Sequence, residues 1–191
     1  MKKEEIEVFK DRFSAIKDYI YFDKQEFLRE KTTHPSKLSQ MIKEANELLK
    51  DCAVEDLYFL NGAIGNLYRI NGQPQKAIQY LTDCLKIAVE VKNIRKEIIA
   101  LIRLGEALKY NGLHQRAIEL FNKALDLCKT HNIDEYEDFV WQHKGKCLME
   151  LERLNEAEEC FMKSFEIRRK KGNDALMHST QQAINLLKKL S

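Results

Sequence analysis

With 191 residues and 44% apolar content, the chain is long enough to bury one substantial core, and its 32% charged residues suit a long solvated surface. The 32 basic and 30 acidic residues leave a formal charge of +2 with the signs intermixed, which argues against the concentrated basic surface of a nucleic-acid binder. Only 7 Gly and 2 Pro are present, too few for the turns of a strand-rich fold, so long helices joined by short loops are expected.

The N-terminal Met1-Lys2-Lys3-Glu4-Glu5 lacks the apolar run of a signal peptide, and no stretch approaches the roughly 18 apolar residues of a membrane span. Ile6, Phe9, Phe13, Ile16 and Ile20 keep helical spacing and predict one long first helix that covers an end of the molecule. A loop around Thr32-Thr33-His34-Pro35-Ser36 follows, because Pro35 disfavours helix at His34 and suits the start of the next one. The stripe Leu38, Ile42 and Ala45 then marks a helix over about 36–51.

From residue 54 the chain repeats itself every 40 residues. Gly65, Gly105 and Gly145 form one column; Ala77, Ala117 and Ala157 form another. Leu81, Phe121 and Phe161 follow, then Cys84, Ala124 and Ser164, then Leu85, Leu125 and Phe165. Asn71-Gly72 recurs as Asn111-Gly112, while Glu152 takes the third glycine's place. A mid-helix glycine costs about 1 kcal/mol relative to alanine, so its recurrence implies room for a neighbouring helix to approach. The Asn-Gly pair supports the left-handed conformation that ends a helix, and Pro74 suits the first turn of the next. The period predicts helix pairs at 54–71 and 74–92, 94–111 and 114–131, and 135–152 and 154–171. The apolar spacing of Leu176, Ala183, Ile184, Leu187 and Leu190 predicts a last helix over 174–190, which caps the open end. Leu38, Ile42 and Ala45 repeat the second-helix stripe 39 residues before Ala77, Leu81 and Cys84, so 36–51 reads as half of a degenerate unit.

These columns resemble the tetratricopeptide repeat, whose small and large positions appear here as Leu101, Leu104-Gly105, Leu108, Ala117, Phe121 and Ala124. The third unit reads Trp141, Gly145, Leu148, Ala157, Phe161 and Ser164. The resemblance implies an all-α, right-handed superhelical solenoid of antiparallel helix hairpins. Its parts are an N-terminal cap and degenerate unit (1–53), three repeats (54–93, 94–133, 134–172) and a C-terminal capping helix (173–191). Forty-residue units are similar to those of Rap-type and PlcR-type quorum-sensing regulators, which bind short peptides. The N-terminal part shows no helix-turn-helix of the PlcR type, and the length does not support a Rap-type phosphatase role.

In this family the first helix of each pair lines a concave groove. The resemblance places Phe59, Asn66, Arg69, Arg103, Glu106, Lys109, Tyr110, Gln142, His143 and Lys146 on that surface, with Ile99, Phe139 and Glu150 at further inward positions. Amides can bind a peptide backbone there, cations can pair with carboxylates, and aromatic walls can bury side chains. The chaperone-type carboxylate clamp is largely broken, because only Asn66 matches it among Gly62, Arg103, Phe139 and His143.

Catalytic readings are weaker. His143 and Cys147 stand four apart on one helix, but Cys147 shares the apolar column of Leu67 and Ala107, so a buried structural thiol is expected. The five histidines are scattered and neither a metal set nor a phosphate loop is apparent. Trp141, Phe121 and Phe161 read as core, and Arg168-Arg169-Lys170-Lys171 as a basic helix end. Five cysteines without a C-x-x-C pair fit reduced thiols in the cytoplasm. The expectation is a non-enzymatic, cytoplasmic protein- or peptide-binding scaffold with no cofactor, no metal, no nucleic acid and no membrane. Its alternatives are a peptide-responsive regulator and an antitoxin- or immunity-like inhibitor, and self-association through the solenoid ends is allowed.

Overall fold

The computed structural model describes residues 2–190. Helix α1 (Lys2–Ser14) runs into a 3-10 turn (Ala15–Tyr19) and a two-stranded antiparallel hairpin, β1 (Ile20–Asp23) and β2 (Arg29–Thr32). Eight helices follow: α2 (Pro35–Lys50), α3 (Val54–Ile70), α4 (Pro74–Glu90), α5 (Ile94–Tyr110), α6 (His114–Thr130), α7 (Glu137–Glu150), α8 (Leu154–Lys170) and α9 (Asp174–Leu187). Consecutive helices pack on one another from α2 to α9, which is the all-α, repeat-based solenoid that the 40-residue period predicts.

The repeat columns have direct steric causes. A Cβ added to Gly65 would lie 2.5 Å from Leu81, one on Gly105 2.6 Å from Phe121, and one on Gly145 2.7 Å from Phe161. Each mid-helix glycine therefore gives way to the large residue 16 positions later on the partner helix. The alanine column is fully buried at 77, 117 and 157, and so are Leu81, Phe121 and Phe161. Leu67, Ala107 and Cys147 are equally buried, as their shared column predicts. The deeper continuation of the second-helix stripe differs from expectation. Leu85, Leu125 and Phe165 are half-buried, and the core instead takes Ala88, Cys128 and Arg168 one turn after the 84/124/164 column.

The first helices end as their Asn-Gly pairs predict. Gly72 and Gly112 have φ of 74° and 77°, and the next amides close back onto the helix, Gln73 to Tyr68 O at 2.8 Å and Leu113 to Leu108 O at 2.9 Å. Glu152 adopts the same conformation with φ 58°.

The predicted long first helix is corrected. Helix α1 stops at Ser14, and Ile20, which the helical spacing had included, begins strand β1. Ile6, Phe9 and Ile16 are buried with α2 and α3, so the spacing read the apolar contacts well and the backbone poorly. The hairpin pairs Ile20 with Thr32, Tyr21 with Lys31, Phe22 with Glu30 and Asp23 with Arg29. Helix α7 starts at Glu137, two residues later than the period predicts. No helix among the described residues is long and apolar enough to cross a membrane.

Candidate functional site

Helices α3, α5 and α7 are the first helices of the three pairs, and the hairpin sits against their shared face. Three consecutive residues make the polar attachment, and the centre of the Phe22 ring lies 4.8 Å from Lys146 Nζ. The Leu28 carbonyl accepts a hydrogen bond from Lys146 Nζ at 3.2 Å, and its side chain is 4% exposed within the main apolar core. The Arg29 guanidinium binds both Glu150 carboxylate oxygens, at 3.0 and 2.6 Å, and reaches the Lys109 and Tyr110 carbonyls at the end of α5. A cation there also meets the negative end of the helix dipole. The Glu30 amide donates to the Tyr110 hydroxyl at 2.5 Å, and its carboxylate pairs with Arg69.

Beneath these contacts lies a charge network drawn from all three helices. Arg69 also donates a hydrogen bond to Asn66 Oδ1 at 2.7 Å and approaches Glu106 at 3.6 Å. The guanidinium groups of Arg29 and Arg69 stand 5.0 and 4.9 Å from the centre of the Tyr110 ring, which thus bridges them. Burial pushes the Tyr110 hydroxyl above its ordinary range, so it stays protonated. Glu150 also meets His114 Nε2 at 2.7 Å and Lys109 Nζ at 3.6 Å. Burial opposes its ionisation, but Arg29, Lys109 and His114 together hold its carboxyl below the usual range. Glu106 faces Arg69 and His143, and these cations and donors overcome burial and keep it well below the ordinary value. Burial in turn lowers His143 below its ordinary value, and lowers Lys146 to about 8 with Lys109 adding repulsion.

The residues that the resemblance assigns to the groove divide into three sets. Arg69, Glu106, Lys109, Tyr110, His143 and Lys146 meet in the network under the hairpin, together with Asn66. Phe59 instead lies under α1, edge-on to Phe9 and Phe13, with Lys10 above its ring. Arg103 leans on Gly62, where an added Cβ would lie 2.8 Å from its guanidinium, and Gln142 is 3% exposed beside Ser164 with its amide nitrogen unpaired. Leu28, Arg29 and Glu30 are residues of this candidate site that the sequence reading missed. The usable signal was Ile20-Tyr21-Phe22, a run of strand-forming types that pairs with Glu30-Lys31-Thr32 after the polar Lys24-Gln25-Glu26.

The other candidates resolve into packing. Cys147 Sγ contacts the His114 carbonyl at 3.6 Å, and burial pushes its thiol up to about 12, whereas His143 stacks on Phe121. Phe121 and Phe161 are fully buried. Trp141, expected in the core, is instead only half-buried: it lies between Lys144 and Lys163 and lines a cleft of about 620 Å³ between α6 and α7. No group of three or more His, Cys, Asp or Glu among the described residues is placed to hold a metal ion.

Tetratricopeptide-repeat models match residues 57–130 and 140–171, together more than half of the chain. No curated protein matches. Among solved structures, the TPR domain of Arabidopsis FLU is 21% identical over 63% of this chain and 100% of that one, with a TM-score of 0.57. Aspartyl phosphate phosphatase F from Bacillus subtilis is 15% identical over 80% of this chain and 41% of that one (TM-score 0.67). A Rap protein complexed with competence and sporulation factor is 17% identical over 82% and 43% (TM-score 0.63). The chain thus spans less than half the length of these last two proteins, and at such identities the likeness is one of fold. The family models and the repeat-by-repeat packing agree: the chain belongs to the tetratricopeptide-repeat family, with repeats like those of the Rap proteins.

Proposed function

We propose that this protein is a non-enzymatic scaffold that holds an extended segment of another polypeptide against the shared face of α3, α5 and α7. The observation that carries the reading is the set of contacts made by Leu28, Arg29 and Glu30. A backbone carbonyl just ahead of β2, and a backbone amide and two side chains within that strand, are each received by a different groove residue. Lys146 and Tyr110 address main-chain groups and so tolerate different sequences, whereas Glu150 and Arg69 select charge. That division is the usual one in strand recognition. A peptide-responsive regulator is the second reading, favoured by the same filled groove and by the similar Rap protein's complex with competence and sporulation factor.

Selection of binders from a random dodecapeptide library by the full-length protein tests the groove. The selected peptides are expected to lose at least tenfold in affinity for a Lys109→Ala/Lys146→Ala variant and to keep it for Lys86→Ala, an exposed position on α4. Equal binding to the groove variant and the parent would place the binding surface elsewhere.

A further inference from the structure

The groove is demanding about what fills it. Arg69 is 3% exposed and Lys109 1%, and Glu150 is buried beside them. Removing the hairpin would take Glu30 from Arg69, the two-point Arg29 contact from Glu150 and the Leu28 carbonyl from Lys146. Charges left without partners in a partly desolvated site are strongly unfavourable. Any occupant that replaces the hairpin must therefore restore an apolar side chain, a cation and a carboxylate in that order, the first in the left-handed region and the other two extended.

The hairpin itself is lightly built. It has four residue pairs, Tyr21 and Phe22 are 44% and 43% exposed, and β2 is only half-buried along its length. Its connection passes through two non-glycine residues in the left-handed region, Phe27 with φ 53° and Leu28 with φ 58°. An isolated two-stranded hairpin is marginal in water, so the groove contacts hold this one in place.

Building on the groove reading, we propose that residues 28–30 are an internal placeholder for a partner segment of sequence apolar–basic–acidic, which binds by displacing the hairpin. The tether gives the placeholder an effective concentration on the order of millimolar, so it suppresses segments that match only partly.

The test uses the full chain and a fluorescein-labelled heptapeptide copying residues 27–33, Phe-Leu-Arg-Glu-Lys-Thr-Thr, with a second probe in which Arg and Glu are exchanged. An Arg29→Ala/Glu30→Ala variant weakens the internal competitor and leaves the groove intact. It is expected to bind the copied probe at least tenfold more tightly than the parent and to show no such gain for the exchanged probe. Saturating the parent with the copied probe should speed hydrogen exchange at amides 28–32 while α3, α5 and α7 stay protected. This second measurement decides the matter even where the variant folds poorly. Equal affinity of parent and folded variant, an equal gain for the exchanged probe, or a saturated complex with an unchanged hairpin overturns the placeholder. Library peptides that depend on Lys109 and Lys146 while the hairpin stays protected would also overturn it and leave the groove reading standing. Peptides indifferent to both would remove the groove reading itself.

Discussion

Glu152 occupies the helix-ending position that glycine fills in the two preceding pairs. Its φ of 58° matches the 74° and 77° of Gly72 and Gly112, and the surrounding bonds are the same, with the Arg153 amide returning to Leu148 O at 3.0 Å. An L-residue in this region is about 1–2 kcal/mol less comfortable than glycine, while glycine gives back some of that through a freer unfolded chain. Glu152→Gly is therefore expected to stabilise the protein by about 1 kcal/mol, raising Tm by about 2–4 °C. Thermal unfolding in parallel with the parent measures it. A lower Tm would mean that the Glu152 side chain makes a favourable contribution that outweighs its backbone.

At the scale of elements, the last pair departs from the repeat in one coupled place. Where the second pair buries Ile98 and Cys128, the third buries Asp138 and Arg168. Arg168 meets Asp138 at 2.8 Å, the Leu176 carbonyl at 3.0 Å and the Thr180 hydroxyl at 2.7 Å, so one side chain ties α7, α8 and α9 together. Lys171 closes the other oxygen of Asp138 at 2.7 Å. The basic run at the end of α8 thus does more than complement the helix dipole. Arg168→Ala is expected to cost about 3–5 kcal/mol in urea denaturation, because it leaves Asp138 fully buried with one cation fewer. Replacing both partners by apolar residues, Asp138→Ile with Arg168→Met, should recover most of the loss. A double variant as unstable as the single one would locate the loss in packing rather than in the orphaned charge.

The same scale shows what the sequence can and cannot convey. The helix pairs were legible because every column has a local steric cause repeated three times, such as Gly105 yielding to Phe121. Tyr110, Arg69 and Lys146 were expected to face inward from the resemblance to the tetratricopeptide repeat, counted from the glycine columns. The hairpin had no repeat to reveal it. Its strands are four residues long, and Ile16 and Ile20 fall at a helical interval by coincidence. Nor does any local pattern say that Arg29 finds Glu150, 121 positions away. Arg168 was misread for a related reason, since a cation at a helix end has a ready explanation until α9 is seen beside it.

For the molecule as a whole, the buried groups set how stability responds to pH. Glu106, Glu150 and His143 all titrate below their ordinary values in the folded state, so the unfolded chain takes up protons first and stability falls towards acid. On the alkaline side two sets of groups oppose each other. Lys146 loses its proton near 8 when folded but keeps it to 10.5 when unfolded, so between those values the unfolded state again binds more protons and stability rises with pH. The buried thiols act in the other direction. Cys84, Cys128 and Cys147 are pushed by burial from 9.0 to about 11, 11 and 12, so above 9 the unfolded chain ionises first and stability falls. From about 8 to about 8.5 Lys146 dominates, at no more than about 1.4 kcal/mol per pH unit, and above that the three thiols, already partly ionised in the unfolded chain, together outweigh it. Urea denaturation under reducing conditions is therefore expected to show maximal stability near pH ~8.5, with the rise from 8 flattened in Lys146→Met and the fall beyond it shallower in Cys84→Ala. A decline between pH ~8 and ~8.5 in the parent would mean that Lys146 stays charged beneath the hairpin, held by Glu106 and Glu30 more strongly than burial opposes it.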